Sequence, residues 1–375
     1  MSQALNFLIG CVLLAACGNA GQEDLLRLPS GFPPPRIPAE NPLSAAKIEL
    51  GRFLFYDQRM SGNGTQSCGS CHLQKLAFTD GLPQAVGSTG QVHPRGSMSL
   101  ANVVYVPALT WANPLIQTLE DQALLPLFGD HPVELGLAGH DQELLARLRD
   151  DAHYPVMFGA AFPEDSDPIR LANITKSLAT FQRTLISGRS PFDRYTYDKQ
   201  PDAISASAKR GRDLFFGEKL ECFHCHSGFN FSDSVVHFNS TIVDRPYHNT
   251  GLYNLNGDGS YPAASQGLFE ITGKPRDHGR FRAPSLRNIE LTSPYMHDGS
   301  IATLEEVLAQ HYARGGRLTA SGPNAGDGAL NPNKDALIRG FELADSERAD
   351  VIEFLRSLTD REFVSDPRFS NPFSQ

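Results

Sequence analysis

Cys68-Gly69-Ser70-Cys71-His72 and Cys222-Phe223-His224-Cys225-His226 are two copies of one pattern, C-x-x-C-H, in a chain of 375 residues. The pattern is the attachment signature of c-type haem. Two thiols two residues apart add to the haem vinyl groups, and the His that follows supplies the proximal imidazole. Two other chemistries use paired cysteines. A zinc half-site would need further Cys or His at matching spacing, and a thioredoxin-type redox pair does not require a His after the second Cys in both copies. The pattern therefore predicts two covalently bound haem c groups, held by Cys68, Cys71 and His72 and by Cys222, Cys225 and His226.

The two sites belong to an internal repeat. Gly51-Arg52-Phe53-Leu54-Phe55 precedes the first and Gly211-Arg212-Asp213-Leu214-Phe215 the second. Each follows a Ser, at Ser44 and Ser205, where a hydroxyl can cap the first amides of a helix. Between them Leu171, Ile174, Leu178, Phe181 and Leu185 recur at helical spacing, and Val351, Phe354, Leu355 and Leu358 do so near the C-terminus. Strand signals are weak. The expected fold is mainly α: two cytochrome c-like haem domains with long loops around 56–67, 81–118 and 230–300, the haems facing the inter-domain region. The N-terminal unit is placed at 25–188 and the C-terminal unit at 189–375, with 188–193 as linker.

The remaining cysteines, Cys11 and Cys17, lie in or at the end of an apolar run from Leu5 to Ala16. Residues 1–17 read as an export signal, although no Lys or Arg precedes the run. Leu14-Ala15-Ala16-Cys17 resembles the bacterial lipobox, in which the Cys is lipidated; ordinary cleavage without lipid is the alternative. Export to the periplasm, with a lipid anchor to a membrane, is the expectation. No apolar stretch reaches the roughly 18–20 residues of a spanning helix. With 33 Lys+Arg against 42 Asp+Glu and a net charge of −9, no basic run offers itself to phosphates, so nucleic acid is excluded as a partner.

Two haems alone make an electron carrier. An enzyme needs one iron with an open position and proton-handling groups beside it. Trp111-Ala112-Asn113-Pro114, Leu119-Glu120-Asp121-Gln122, Pro126 and Pro132-Val133-Glu134-Leu135-Gly136 resemble the distal-pocket segment of the bacterial dihaem cytochrome c peroxidase and MauG superfamily. Phe181-Gln182-Arg183-Thr184-Leu185-Ile186-Ser187 is similar to its inter-domain helix. Arg282-Ala283-Pro284-Ser285-Leu286-Arg287-Asn288 and Pro294-Tyr295-Met296-His297-Asp298-Gly299-Ser300 are similar to its C-terminal signature. Thr110 to Pro114 and His311-Tyr312-Ala313-Arg314-Gly315-Gly316 most resemble the MbnH branch, whose members oxidise a tryptophan on a partner protein.

The resemblance implies roles for individual residues. His72 would hold the peroxidatic haem, Glu134 would move a proton between peroxide oxygens, Gln122 would line the pocket and Pro126 would keep it open. Gln122 and Glu134 stand two residues further apart than the family spacing, so the loop 127–131 is expected to reposition the acid. Trp111, the only tryptophan, would relay oxidising equivalents between the haems. Tyr312 would ligate the iron of His226, with His311 as the alternative ligand; a phenolate favours oxidised iron. Asn102, Thr292 and Pro294 would supply oxygens to a calcium ion. His93 lies where cytochrome c peroxidases carry a His that closes the resting peroxidatic iron, or is an ordinary loop histidine.

The implied function is an exported dihaem c-type oxidoreductase. It would use hydrogen peroxide, through a high-valent dihaem state, to oxidise a side chain, Trp foremost, on a partner protein. Two rivals stay open: a cytochrome c peroxidase fed by a small redox protein, and a dihaem electron carrier without enzyme activity.

Overall fold

Ser44 closes the first turn of helix α1, Ala45–Tyr56, its hydroxyl accepting from Lys47 N at 3.2 Å. Ser205 does the same for α6, Ala206–Phe215, accepting from Ala208 N at 3.0 Å. Both caps are those expected of Ser at this position. The computed structural model describes residues 24–373. The proposed signal, with Cys11 and Cys17, lies outside the described residues. Between α1 and α6 come α2, Leu119–Phe128; α3, Asp141–Arg149; α4, Tyr154–Ala161; and α5, Leu171–Arg183. The last long helix is α7, Asp345–Arg356.

Helix α1 crosses α5 and α6 crosses α7 by the same device. A Cβ on Gly51 would sit 2.0 Å from Ser177 O, and one on Gly211 would sit 1.9 Å from Asp350 O. Only a glycine lets backbone meet backbone so closely. Leu54 and Phe55 then pack on Ile174, Leu178 and Phe181 in the first core. Phe215 packs with Val351, Phe354 and Leu355 in the second. The described residues are mostly helix and loop, with one antiparallel ribbon of two short strands, β1 Leu318–Thr319 and β2 Gly326–Asp327, paired Leu318 with Asp327.

The repeat runs deeper than the haem motifs. Asn102 and Asn288 both take φ of 61° and each opens a single 3₁₀ turn, Val103–Tyr105 and Ile289–Leu291. Three residues before each Asn, a serine hydroxyl donates to a backbone carbonyl: Ser99 to Ala77 O at 2.6 Å and Ser285 to Asn230 O at 2.7 Å. Those carbonyls belong to the residues just before Phe78 and Phe231, which anchor the two haem-motif histidines.

The segment read as a linker is not slack. Gly188 N and Arg189 N both donate to Asp360 Oδ2, at 3.0 and 2.9 Å. Asp193 accepts from Ser190 and forms a buried, two-pronged pair with Arg287 at 2.8 and 2.9 Å. The C-terminal tail crosses back: Phe363 and Phe369 join the first core, and Tyr56 OH donates to Phe369 O at 2.6 Å. The loops 81–118 and 230–300 contain only short turns, as expected, but side-chain hydrogen bonds tie them down.

Candidate functional site

Cys68–Cys71 is one helical turn, with His72 N donating to Cys68 O at 3.0 Å, so both thiols and the imidazole face one side. The second motif forms a 3₁₀ turn, Cys222–His224, and His226 N donates to Cys222 O at 2.9 Å. Each histidine is aimed by its own Nδ1. His72 Nδ1 lies 2.8 Å from Phe78 O and His226 Nδ1 lies 3.0 Å from Phe231 O. A carbonyl only accepts, so Nδ1 carries the proton and the Nε2 lone pair is left for a metal. Phe78 and Phe231 turn their carbonyls inward by adopting positive φ, 64° and 49°. Burial pulls both imidazoles below their ordinary pKa, which favours the neutral, ligating form.

The thiols themselves separate the competing chemistries. Burial pushes Cys68 and Cys222 up to about 12 and Cys71 to about 11, and none of the four is in a disulfide. A redox pair or a thiolate metal site relies on a lowered thiol pKa. Neutral sulfurs beside an aimed imidazole suit covalent haem instead. A further observation points to an anionic cofactor: Arg282 is buried, its side chain donates only to Thr110 O at 3.4 Å and Met98 Sδ at 3.6 Å, and it has no carboxylate partner among the described residues. Burial lowers its pKa to about 10. An unpaired buried guanidinium is costly, and a haem propionate would pair with it.

His72, Cys68 and Cys71 open onto a cavity of about 580 Å³, within the usual range for a cofactor or ligand site. Helix α2 forms one wall with Leu119, Gln122, Ala123 and Pro126, which share a face at helical spacing. Pro126 has no N–H, so the Gln122 carbonyl gets no donor from the helix ladder. The wall is held from behind, where Arg183 grips Glu120 with two bonds of 2.8 and 2.7 Å. Glu134, Trp111 and His93 line the same cavity, and Ala264, Glu270 and Ile271 close it from the second half of the chain. The loop before Glu134 is pinned: Leu135 N donates to Pro126 O at 2.8 Å, and Ser88 N to Glu134 O at 2.7 Å. His93 Nε2 lies 3.1 Å from Glu134 Oε1.

At the second motif, Tyr312 ends a single π-helical turn, Val307–Tyr312, closed by Ala313 N on Leu308 O at 2.9 Å. Burial raises the Tyr312 phenol pKa, and so do the neighbouring Cys225 and Cys222 thiols. The phenol is thus within electrostatic reach of the cysteine pair. His311 is fully buried with neither ring nitrogen hydrogen-bonded, and burial, with Arg317 and Lys334 nearby, lowers it to about 3. Trp111 donates from Nε1 to Gly96 O at 3.0 Å and packs against the cluster of Tyr253, Tyr261 and Phe281. Asn102 Nδ2 donates to Ser187 O and Asn230 Oδ1, while its Oδ1 accepts from Ser187 N. No hydrogen bond among the described residues joins it to Thr292 or Pro294.

Two features have no counterpart in the sequence reading. His93 and Glu134 meet across 41 positions with no shared motif. His248 is clamped between Asp233 at 2.7 Å and Asp335 at 2.8 Å, next to Cys225. Nothing in its spacing marks it out.

A sequence model of the di-haem cytochrome c peroxidase family matches residues 45–201. Methylamine utilization protein MauG of Methylorubrum extorquens is 34% identical over 92% of this chain and 87% of its own length. Cytochrome-c peroxidase IdrP1 of Denitromonas iodatirespirans is 34% identical over 97% of this chain and 95% of its own. Among solved structures, a MauG-like protein associated with microbial copper homeostasis superposes with a TM-score of 0.89 at 52% identity, covering 92% of this chain and 98% of that one. The diheme peroxidase BthA of Burkholderia thailandensis shares the fold, with a TM-score of 0.67 at 22% identity over 86% of this chain and 88% of that one.

Proposed function

Because this chain belongs to the di-haem cytochrome c peroxidase family, whose members are peroxide-dependent dihaem oxidoreductases, we propose that it withdraws electrons from a side chain, Trp foremost, on a partner protein. It acts in the periplasm, lipid-anchored through Cys17. Residues 25–188 form the peroxidatic unit and 189–375 the electron-transfer unit, and the haems would face the region between them. The likeness to a protein associated with copper homeostasis points to copper-handling proteins as the place to look for that partner.

One observation carries the reading: a single roomy cavity holds His72, Glu134, Gln122 and Trp111 together, whereas the second motif has a phenol within electrostatic reach of its cysteines. The haems, when bound, supply iron that accepts oxidising equivalents from peroxide. Cys68, Cys71, Cys222 and Cys225 would fix them covalently, and His72 and His226 would offer Nε2 as ligand. Glu134 takes a proton from one peroxide oxygen and returns it to the other, a task worth about 10²–10⁴-fold. Gln122 and Pro126 hold the cavity wall open to peroxide. Tyr312 would serve as the protein ligand of the second haem, and Trp111 bridges the first cavity to the second half of the chain. Asn102, Thr292 and Pro294 offer oxygens for calcium, a hard-cation donor set.

The experiment is rapid mixing of the haem-loaded protein with one equivalent of peroxide. An oxidised spectrum that persists without a donor, and that decays with a mass gain on the partner's Trp, supports the reading. Fast turnover with reduced cytochrome c alone would support the peroxidase rival, and no optical response would support a plain carrier. Glu134→Gln should slow the first step by about 10²–10⁴-fold with haem attachment intact; an unchanged rate overturns its role.

A further inference from the structure

A row of aromatic rings leads away from the peroxide cavity into the second half of the chain. The Trp111 ring, on the cavity wall, is 6.5 Å from that of His297. His297 stacks on Phe281 at 3.7 Å and lies 6.4 Å from Tyr261, whose ring is 5.5 Å from Tyr253. Tyr261 is also near enough to Tyr312 for its charge to bear on that phenol. All of Tyr253, Tyr261 and His297 are buried. The row ends on a hydrogen bond, Tyr253 OH donating to Asp298 Oδ2 at 2.6 Å.

Indole and phenol are among the protein side chains most easily oxidised, but a buried phenol gives up an electron readily only if its proton can leave at the same time. Asp298 is built to take that proton. Its other oxygen accepts from Ser300 N at 3.1 Å, and although burial alone would raise its pKa, nearby His297 and these hydrogen bonds hold it below the usual range, so it stands ionised.

We propose that Tyr253 and Asp298 form a proton-coupled redox station that stores one oxidising equivalent away from the peroxide cavity until the partner's side chain arrives. The oxidant is hydrogen peroxide, acting through the peroxide-dependent activity of the proposed function, on which this inference rests. In the step, Tyr253 loses one electron through Tyr261 and the Trp111 row to the oxidised centre, which is reduced by one equivalent. The O–H bond of Tyr253 breaks, a bond from that proton to Asp298 Oδ2 forms, and a neutral phenoxyl radical faces a neutral carboxylic acid. When the partner donates an electron, the proton returns and both groups are restored. Storage in a buried, neutral pair keeps the equivalent from reacting with solvent or with the cavity walls.

The test is freeze-quench paramagnetic resonance on the haem-loaded protein after peroxide, with the optical spectrum read on the same samples. Wild type should show a tyrosyl radical that narrows when tyrosine is ring-deuterated. Tyr253→Phe, which keeps the ring and loses the hydroxyl, should lose that signal while the optical response to peroxide persists. Asp298→Asn, which keeps an acceptor but no base, should lose or sharply delay it. A radical of unchanged yield in both variants, or one that responds only to deuterated tryptophan, overturns the station and leaves the proposed function standing. If wild type gives no optical response to peroxide, the proposed function fails and the station fails with it.

Discussion

Changing Asp193 to Asn strands a guanidinium that has no access to water. The Arg287 side chain is 0% exposed and that of Asp193 3%, and their two bonds measure 2.8 and 2.9 Å. Removing one partner of such a pair costs about 3–5 kcal/mol, because the other charge stays buried alone. At 1.4 kcal/mol per tenfold, the folding equilibrium should shift by roughly 10²–10⁴-fold. The damage should also have an address. Arg287 donates to Phe229 O and lies 5.6 Å over the Phe231 ring, and the Phe231 carbonyl is the one that aims His226. The assay is guanidinium unfolding of the haem-loaded protein, followed in the far ultraviolet and at the haem bands. D193N should unfold at lower denaturant, with the second haem's band changing first. A double replacement, D193L with R287M, should recover much of the loss, since apolar pairs of similar volume replace buried ion pairs well. A D193N cost below about 1 kcal/mol, the size of a surface ion pair, would refute the reasoning.

Three other outcomes are expected. Burial works against protonating His248, yet hydrogen bonds to Asp233, the Cys225 sulfur and Asp335 raise its pKa to about 11, so it is charged in the fold and mostly neutral in the unfolded chain at pH 8. Its stabilisation should be complete below pH ~6.5 and fade as pH climbs toward about 11, by up to about 1.4 kcal/mol per unit of raised pKa; melting scans of H248Q should lack that alkaline slope. Gly211→Ala adds a Cβ 1.9 Å from Asp350 O, so overpacking of about 1–3 kcal/mol should outweigh the gain of about 1 kcal/mol in helix propensity, seen as a lower unfolding midpoint. Tyr312→Phe should change the absorption of the second haem while His311→Gln leaves it alone; the opposite pattern assigns that ligand to His311.

The haem turns, the Ser caps at Ser44 and Ser205 and the buried stripes of α5 and α7 were legible because each rests on local chemistry: a motif, a cap, a period. The deeper repeat was not read: Ser99-Leu100-Ala101-Asn102 and Ser285-Leu286-Arg287-Asn288 share a pattern, but their unequal distances from the two haem motifs hide it from a search for fixed spacing. The choice between His311 and Tyr312 was not legible. A π turn inserts one residue into the helical register, and no propensity of Val307 to Tyr312 announces it. The pairs His93 with Glu134 and His248 with Asp233 and Asp335 depend on how distant loops meet, which packing decides. The 188–193 segment looked like a tether because Gly, Arg, Ser and Pro favour turns; its clamp, Asp360, lies some 170 positions away.

The returning tail has a consequence for how the molecule comes into being. Phe363 and Phe369 are bricks of a wall whose other members begin at Leu50. Synthesis proceeds from the N-terminus, so the half made first must wait for Phe363 and Phe369 before its core can close. Proteases that nibble the C-terminus would thus unseat the opposite half, and the N-terminal half is not a sound fragment to express by itself.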